Sequence, residues 1–146
     1  MIRKMTPSDR ELYMSMTDKF YSSEAVLHKV PVSNIEATFD EMMRSENYVS
    51  GYILEYQGTP AGYAQLSRTF SQEVGGMVIL VEELFVLPEY RSHGLGREFF
   101  KFLEEGPGRD ARRLRLEVTH GNSRAESLYE RLGFKRLDYI QMVKDK

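Results

Sequence analysis

The chain has 146 residues, 41% of them hydrophobic and 12% aromatic, which suits one domain with one core and excludes a disordered chain. Its 20 Lys and Arg residues against 22 Asp and Glu residues leave a net charge of -2, so nucleic acid is not expected as a partner. The lack of cysteine excludes disulfides, thiolate metal sites and cysteine nucleophiles.

The chain also lacks membrane and metal signals. The first residues have no apolar core of a signal peptide, and no run approaches the roughly 18 apolar residues that a membrane span needs. His28, His93 and His120 do not have metal-ligand spacing, so no metal is predicted. We therefore expect residues 1–146 to form a single domain that is soluble and cytoplasmic, with no membrane contact.

Local signals in the first third of the chain predict one strand and two helices. Thr6 can cap a helix whose first position Pro7 occupies, and the stretch from Ser33 to Glu36 has the form of a second capping box. The predicted elements are a strand over residues 2–5, a helix over residues 8–21, and a helix that starts at the box and ends near Ser45.

The middle of the chain predicts an antiparallel hairpin and a central strand. Apolar residues alternate with a period of two over residues 48–56 and 61–68, on either side of a turn. A polar loop is predicted over residues 69–76. Residues 77–87 are then almost continuously apolar, which indicates a strand that is buried on both faces.

The last third predicts alternating strands and helices. Pro88 ends the central strand, a helix runs up to Glu105, and a strand over residues 114–118 can lie parallel to the central strand. A capping box at Ser123 begins another helix, and Gly133 before Phe134 has the form of a Schellman stop. A final strand over residues 134–143 is expected to complete the sheet.

The turn from Arg91 to Arg97 is the clearest candidate binding feature. It lies between a buried strand and a helix start, where backbone N–H groups and the helix dipole favour an anion. Gly94 and Gly96 let the backbone approach a phosphate closely, although Gly-x-Gly alone equally fits a plain turn. A dinucleotide fingerprint is excluded because Phe99 stands where a small residue is needed, and a P-loop is excluded because Gly-Lys-Ser/Thr is missing.

The full pattern Arg-x-x-Gly-x-Gly after residues 86–90 resembles the pyrophosphate loop of the GNAT acetyltransferases. Residues 81–91 are similar to the polyamine branch of that family in particular. The segment around Asn122 and residues 125–134 resembles the family's later helix, and the first residues resemble its opening. The resemblance implies an α/β (α+β) GNAT fold, in which helices flank both faces of a mixed, mostly antiparallel sheet with a splayed parallel strand pair.

The same resemblance implies a site for acetyl-CoA. In the family the pantetheine arm lies between the two splayed strands and bonds to the main chain, which corresponds here to Leu84, Phe85 and Val86. Asn122 is either a cofactor contact or an ordinary helix cap. The turn residues implied to hold the diphosphate are Arg91, Ser92, His93, Gly94, Leu95, Gly96 and Arg97.

Two carboxylates interrupt the central strand, and one of them is a candidate general base. Transfer to an amine requires a proton to leave an ammonium group with a pKa of about 10.4. Because adjacent strand residues normally point to opposite faces, only one of Glu82 and Glu83 is expected to face the reaction, and the resemblance favours Glu82. Alternatively, both carboxylates emerge at a sheet edge or pair with arginines. Tyr129 is a core tyrosine on local pattern alone, and the resemblance implies that it protonates the departing sulfur.

The sequence therefore predicts an enzyme that transfers an acetyl group from acetyl-CoA to a primary amine of a small molecule by direct attack in a ternary complex. A non-catalytic acyl-CoA-binding module and a protein N-acetyltransferase are the alternatives. A homodimer through the C-terminal strand is possible. Arg112, Arg113 and Arg115 form either a solvated edge or a contact for the 3′-phosphate of CoA.

Overall fold

The computed structural model describes residues 1–146 and contains one five-stranded sheet with four α-helices. None of the helices combines the length and apolar character required to cross a membrane. In chain order the elements are β1 (Ile2–Lys4), a 3-10 turn (Pro7–Asp9), α1 (Arg10–Tyr21), α2 (Val32–Arg44), β2 (Val49–Tyr56), β3 (Thr59–Ser71), β4 (Gly76–Val86), a 3-10 turn (Pro88–Tyr90), α3 (Leu95–Glu105), β5 (Arg113–Leu116) and α4 (Ser123–Arg131).

The strands lie in the order β1-β2-β3-β4-β5, so the sheet follows the sequence without rearrangement. The first four strands pair antiparallel with their neighbours, whereas β5 pairs parallel with β4. A parallel pair needs a crossover connection, and α3 provides it. The predicted mixed, mostly antiparallel sheet with one parallel pair is confirmed.

Helices cover both faces of the sheet, as predicted. On one face the buried side chains of α1 and α2, including Tyr13 and Phe39, pack against Ile53, Tyr63 and Phe85. On the other face α3 packs Phe99, Phe100 and Leu103 against a second buried cluster from β2, β3 and β4, and Tyr129 of α4 joins this cluster. α1, α2 and α3 therefore each bury one apolar stripe, as their sequence period indicates, whereas α4 contributes half-buried side chains.

Asp9, the acidic residue of the capping box that begins at Thr6, stabilises the turn before α1. The Asp9 carboxylate accepts a hydrogen bond from the Thr6 N–H (2.8 Å), and the Arg3 guanidinium donates to both of its oxygens at 2.8 Å. The Arg3 contact lowers the pKa of Asp9 to about 2. The helix predicted to begin at Ser8 opens as a 3-10 turn and becomes α-helical at Arg10.

Three predicted boundaries are corrected. α2 begins at Val32, with Pro31 as its N-cap, so the capping box predicted at Ser33 lies inside the first turn. α4 is capped by Asn122, one residue before the predicted box, because the Asn122 amide oxygen accepts from the Ala125 N–H. β3 continues to Ser71 and β4 begins at Gly76, because their pairing extends into the predicted loop and leaves only residues 72–75 as a turn.

The predicted last strand is wrong, whereas the predicted helix stop before it is confirmed. Gly133 has φ +90°, its N–H donates to the Glu130 carbonyl, and the Phe134 N–H donates to the Tyr129 carbonyl, which is the Schellman pattern. Residues 134–146 form no strand, and β5 is the end of the sheet. Alternation of apolar residues is a local property of the sequence, whereas a strand also requires a neighbouring strand edge for its backbone hydrogen bonds. Residues 135–146 make no backbone hydrogen bond to β5.

Candidate active site

A β-bulge in the centre of β4 determines where the two glutamates point. Gln65 of β3 lies opposite Glu83 while Leu66 lies opposite Val81, so Glu82 is the extra residue of the bulge. Before the bulge Val81 packs on the α3 face, and after it Phe85 packs on the α1 and α2 face. The bulge therefore shifts the alternation of the strand by one residue.

The two carboxylates lie near each other, which corrects the expectation that they point to opposite faces. Glu83 bonds to Tyr63 and Glu82 bonds to Ser67, and these two partners lie four residues apart on β3, on the same face of the sheet. The expectation fails because simple alternation does not hold through a bulge. The site thus contains a pair of neighbouring acidic groups rather than one carboxylate.

Glu83 is the buried member of this pair. Its side chain accepts hydrogen bonds from the Tyr21 hydroxyl (2.5 Å) and the Tyr63 hydroxyl (2.6 Å), and the residue is 8% exposed. Burial raises the pKa of Glu83, while the two hydroxyl donors act in the opposite direction. No lysine or arginine forms an ion pair with it.

Glu82 is the exposed member. Its side chain is open to solvent and accepts one hydrogen bond, at 2.6 Å, from the Ser67 hydroxyl. The alternative that the glutamates pair with arginines is not observed, because their partners are hydroxyl groups. Glu82 is thus free to exchange a proton with solvent or with a bound molecule.

Beyond the bulge, β4 and β5 separate and leave a gap in the sheet. β5 pairs with β4 only over residues 78–81, so residues 82–86 have no neighbour on that side. The Leu87 N–H donates to the Ala61 carbonyl of β3. In an antiparallel ladder every second residue bonds to the same neighbouring strand, so the N–H and C=O groups of Phe85 also point towards β3. The N–H and C=O groups of Leu84 and Val86 point into the gap, where the Arg91 Nε donates to the Val86 carbonyl at 3.0 Å.

The gap leads to the turn at the start of α3. Ser92 has φ +67° and Gly94 has φ +82°, so the backbone bends sharply just before the helix begins at Leu95. The first N–H of this region with an acceptor inside the protein is that of Glu98, which donates to the Gly94 carbonyl. The N–H groups of residues 92–97 donate to no protein atom. A row of free amides at a helix N-terminus is an anion-binding arrangement.

Gap and turn together form a cleft of about 820 Å³. Four arginines line it, of which Arg124 and Arg131 on α4 were missed by sequence reasoning, although they follow Asn122 on the same helix. The Arg124 Nη2 donates to the Ser92 hydroxyl at 2.7 Å and so joins α4 to the turn. The full lining is Phe20, Ser23, Glu24, Ala25, Leu84, Phe85, Val86, Pro88, Tyr90, Arg91, Ser92, Gly94, Leu95, Gly96, Arg97, Asn122, Arg124, Ala125, Leu128, Tyr129 and Arg131.

Glu82 and Glu83, at the bulge of β4, and two further groups of predicted residues lie outside this lining. The His93 ring packs on the Tyr56 ring, with 4.6 Å between centroids, and its Nδ1 lies 3.2 Å from the Tyr90 carbonyl oxygen. Arg112, Arg113 and Arg115 are also absent from the cleft wall. Arg113 forms an ion pair with Glu73 at 2.9 Å, on the β3–β4 turn. Arg112 is exposed, whereas Arg113 and Arg115 are half-buried and line a separate groove beside β5.

Tyr129 and Asn122 both line the cleft from the side of α4. The Tyr129 ring packs edge-on against Phe100 and Phe134, with centroids 5.8 and 6.0 Å away, and burial raises the pKa of its hydroxyl. The hydroxyl is therefore protonated at neutral pH. Asn122 serves as the helix cap while it lines the cleft, so the two roles considered for it are compatible.

A profile of the acetyltransferase (GNAT) family matches residues 11–134. The chain belongs to the GNAT family. YhfO of Bacillus subtilis strain 168, an uncharacterized N-acetyltransferase, is 33% identical over 94 residues, which span 63% of this chain and 63% of YhfO. A putative [ribosomal protein bS18]-alanine N-acetyltransferase of the same organism is 27% identical over 127 residues, 86% of this chain and 79% of that protein.

The GNAT fold is also found in solved structures. The structure of AAC(6′)-Iy in complex with the bisubstrate analog CoA-S-monomethyl-acetylneamine aligns with a TM-score of 0.80, covering 100% of this chain and 97% of that one. The sequence identity is 17%, so this similarity establishes the fold alone. The family match confirms the GNAT superfamily predicted from the motifs and does not distinguish the polyamine branch within it.

Proposed function

We propose that this GNAT protein transfers the acetyl group of acetyl-CoA to a primary amine of a small molecule by direct attack in a ternary complex. The observation that supports the proposal best is the continuous path from the free amides of residues 92–97 to the gap beside Leu84 and Val86. Such a path suits a ligand with a diphosphate at one end and amide groups along its arm.

The chain's polar groups fit acetyl-CoA as co-substrate. The free amides of the turn and the guanidinium groups of Arg91 and Arg97 would hold the diphosphate. The pantetheine amides would bond to main-chain groups of Leu84 and Val86 that face the gap, where β5 supplies no partner. One of these N–H groups would face the thioester oxygen, where negative charge grows during attack. Support comes from AAC(6′)-Iy, which binds a CoA-linked bisubstrate analog on the same fold.

The proposed chemistry uses one carboxylate and one hydroxyl. The amine nitrogen attacks the thioester carbon, so a C–N bond forms while the C–S bond breaks. Glu82 accepts the proton that the amine loses, directly or through water, because it is exposed and tied only to Ser67. The Tyr129 hydroxyl donates a proton to the departing sulfur and later regains one from solvent. Its raised pKa keeps it in the donor form at neutral pH.

The acidic pair favours a cationic acceptor. An incoming ammonium group would meet the exposed Glu82 carboxyl group at the bulge of β4, with the buried Glu83 carboxyl group beneath it, and neither has a basic partner in the protein. Opposite charge would concentrate such a molecule beside the bulge before its proton is removed. A small polyamine is therefore the first acceptor to test, in agreement with the similarity of residues 81–91 to the polyamine branch.

Thiol release from acetyl-CoA with a panel of amines tests the proposal. With the best acceptor, Glu82→Gln should lower turnover by about 10² to 10⁴ while acetyl-CoA binding is unchanged. Glu83→Gln is the matched comparison, because it removes the neighbouring charge and keeps the shape. An unchanged rate for Glu82→Gln would remove it from the role of base. Tight acetyl-CoA binding with no thiol release for any amine would favour the non-catalytic alternative.

The relative named as a ribosomal-protein alanine N-acetyltransferase supports a second candidate, acetylation of a protein N-terminus. An α-amino group has a pKa of about 7.7 to 8.0, so a larger fraction is neutral without help from a base. A peptide with N-terminal alanine and spermidine, assayed side by side, separate the two candidates. Preference for the peptide, with little effect of Glu82→Gln, would favour the protein substrate.

A further inference from the structure

The Arg91 side chain extends from the turn back into the gap beside β4. Its Nε donates to the Val86 carbonyl at 3.0 Å, and both residues line the cleft. Hydrogen bonds between neighbouring strands of a sheet have the same length, and their donors lie beside the strand at this position. The Arg91 Nε therefore lies where a strand added to β4 would place its own N–H group.

The position of Arg91 matters for the pantetheine arm, and this inference rests on the proposed function, in which the arm bonds to Leu84 and Val86. A carbonyl oxygen can accept two hydrogen bonds, so the bond from Arg91 does not by itself exclude the arm. Space excludes it, because neighbouring strands lie only about 4.8 Å apart and the guanidinium lies within that width. The arm must therefore displace the Arg91 side chain before it bonds to Val86.

The diphosphate of acetyl-CoA would provide the displaced guanidinium with a better acceptor. Arg91 directly precedes the free amides of residues 92–97, where the diphosphate is proposed to bind. Hydrogen bonds from a guanidinium to a phosphate are charge-assisted and roughly twice as strong as bonds between neutral groups. A ligand with both the arm and the diphosphate thus replaces the bond to Val86 by a stronger one, whereas the arm alone only breaks it.

The other arginines of the cleft make no comparable contact with β4. Arg124 donates to the Ser92 hydroxyl, which belongs to the turn itself. Arg97 and Arg131 line the cleft without a hydrogen bond to the main chain of β4. Arg91 is therefore the arginine that connects the diphosphate end of the cleft to the gap.

We propose that Arg91 is a specificity-determining residue, which favours acyl donors with a diphosphate over the same thioester on an arm without one. A donor that lacks the diphosphate breaks the bond between Arg91 and Val86 and gives the guanidinium no new acceptor. The loss of one such hydrogen bond weakens binding by about twofold to tenfold. This penalty applies in addition to the contacts that the missing diphosphate would have made.

Calorimetric titration with S-acetylpantetheine and with acetyl-CoA tests this role, because the two ligands should respond to one substitution in opposite directions. Arg91→Ala removes the guanidinium from the gap, so S-acetylpantetheine should bind this variant about twofold to tenfold more tightly than the unmodified protein. Acetyl-CoA should bind the same variant less tightly, because its diphosphate loses a charged donor. An arginine that only held the diphosphate would leave the affinity for S-acetylpantetheine unchanged.

Arg97→Ala is the matched control, since Arg97 is also an exposed arginine of the cleft but has no bond to Val86. It should weaken acetyl-CoA binding and leave S-acetylpantetheine binding unchanged. An equal gain for S-acetylpantetheine in both variants would show a general effect of charge and overturn the role of Arg91.

The same titrations distinguish a failure of this inference from a failure of the proposed function. If acetyl-CoA binds the unmodified protein but Arg91→Ala binds S-acetylpantetheine no more tightly than the unmodified protein does, the role assigned to Arg91 is wrong and the proposed function stands. If acetyl-CoA does not bind the unmodified protein, both are overturned.

Discussion

Replacing Gly94 by alanine separates the binding role of the turn from its effect on folding. Gly94 has φ +82°, and a Cβ placed there meets no atom of the protein within 4 Å. The substitution therefore creates no clash and costs only the left-handed backbone conformation, about 1 to 2 kcal/mol. For a chain of this size the melting temperature should fall by roughly 3 to 8 °C.

The loss of affinity should be larger than this strain alone produces. The Cβ would stand at the mouth of the free amides of residues 92–97, where the diphosphate is proposed to bind. Losing one charge-assisted hydrogen bond, worth about 1.5 to 3 kcal/mol, corresponds to a loss of roughly tenfold to 150-fold in acetyl-CoA affinity. Calorimetric titration with acetyl-CoA measures this change directly.

Gly75 provides the matched control for this experiment. It has φ +64° in the β3–β4 turn, and its Cβ also meets nothing within 4 Å. Gly75→Ala should lower the melting temperature by a similar amount and leave acetyl-CoA affinity unchanged. Equal affinities for both variants and the unmodified protein would refute the assignment of the turn to the diphosphate.

Three further outcomes are expected. Asp9→Asn should lower the free energy of unfolding by about 2 kcal/mol at pH 7, because the Arg3 contact depresses the pKa of Asp9 to about 2. This stabilisation is present above pH 4 and is lost as the pH falls towards 2. The denaturant unfolding curves of the two proteins should therefore converge near pH 2. Tyr129→Phe should lower the rate of thiol release by only about tenfold, since thiolates leave reasonably well unaided, and should leave acetyl-CoA affinity unchanged. An unaffected rate would exclude Tyr129 as the acid. Phe99→Ala should cost about 3 to 5 kcal/mol in urea unfolding because the ring is fully buried, and a loss below 1 kcal/mol would contradict the assigned core.

The turn at Arg91 was predictable because its properties are local. A strand end, two glycines and a helix start lie within a few residues, and their backbone conformation follows from short-range sterics. The same holds for the stop at Gly133, which the structure shows with its full set of bonds. Such features need no knowledge of distant segments.

The arrangement of Glu82 and Glu83 was not predictable in this way. The bulge arises from the register between β3 and β4, which is a long-range property, whereas alternation along one strand predicts opposite faces. The hydroxyl partners of Glu83 come from α1 and β3, far away in sequence. The prediction of a final strand was wrong for a related reason, since the alternation in residues 134–143 does not reveal whether any edge of the sheet pairs with that segment.

The proposed function depends most on the free amides at the start of α3, which would hold the diphosphate of acetyl-CoA. Calorimetric titration of the protein with acetyl-CoA and with S-acetylpantetheine, which has the same thioester and arm but lacks the diphosphate and the adenosine 3′-phosphate attached to it, measures what that end of the ligand contributes. Acetyl-CoA should bind at least a hundredfold more tightly, about 2.7 kcal/mol. Equal affinities for the two compounds, or no binding of acetyl-CoA, would contradict that role of the amides.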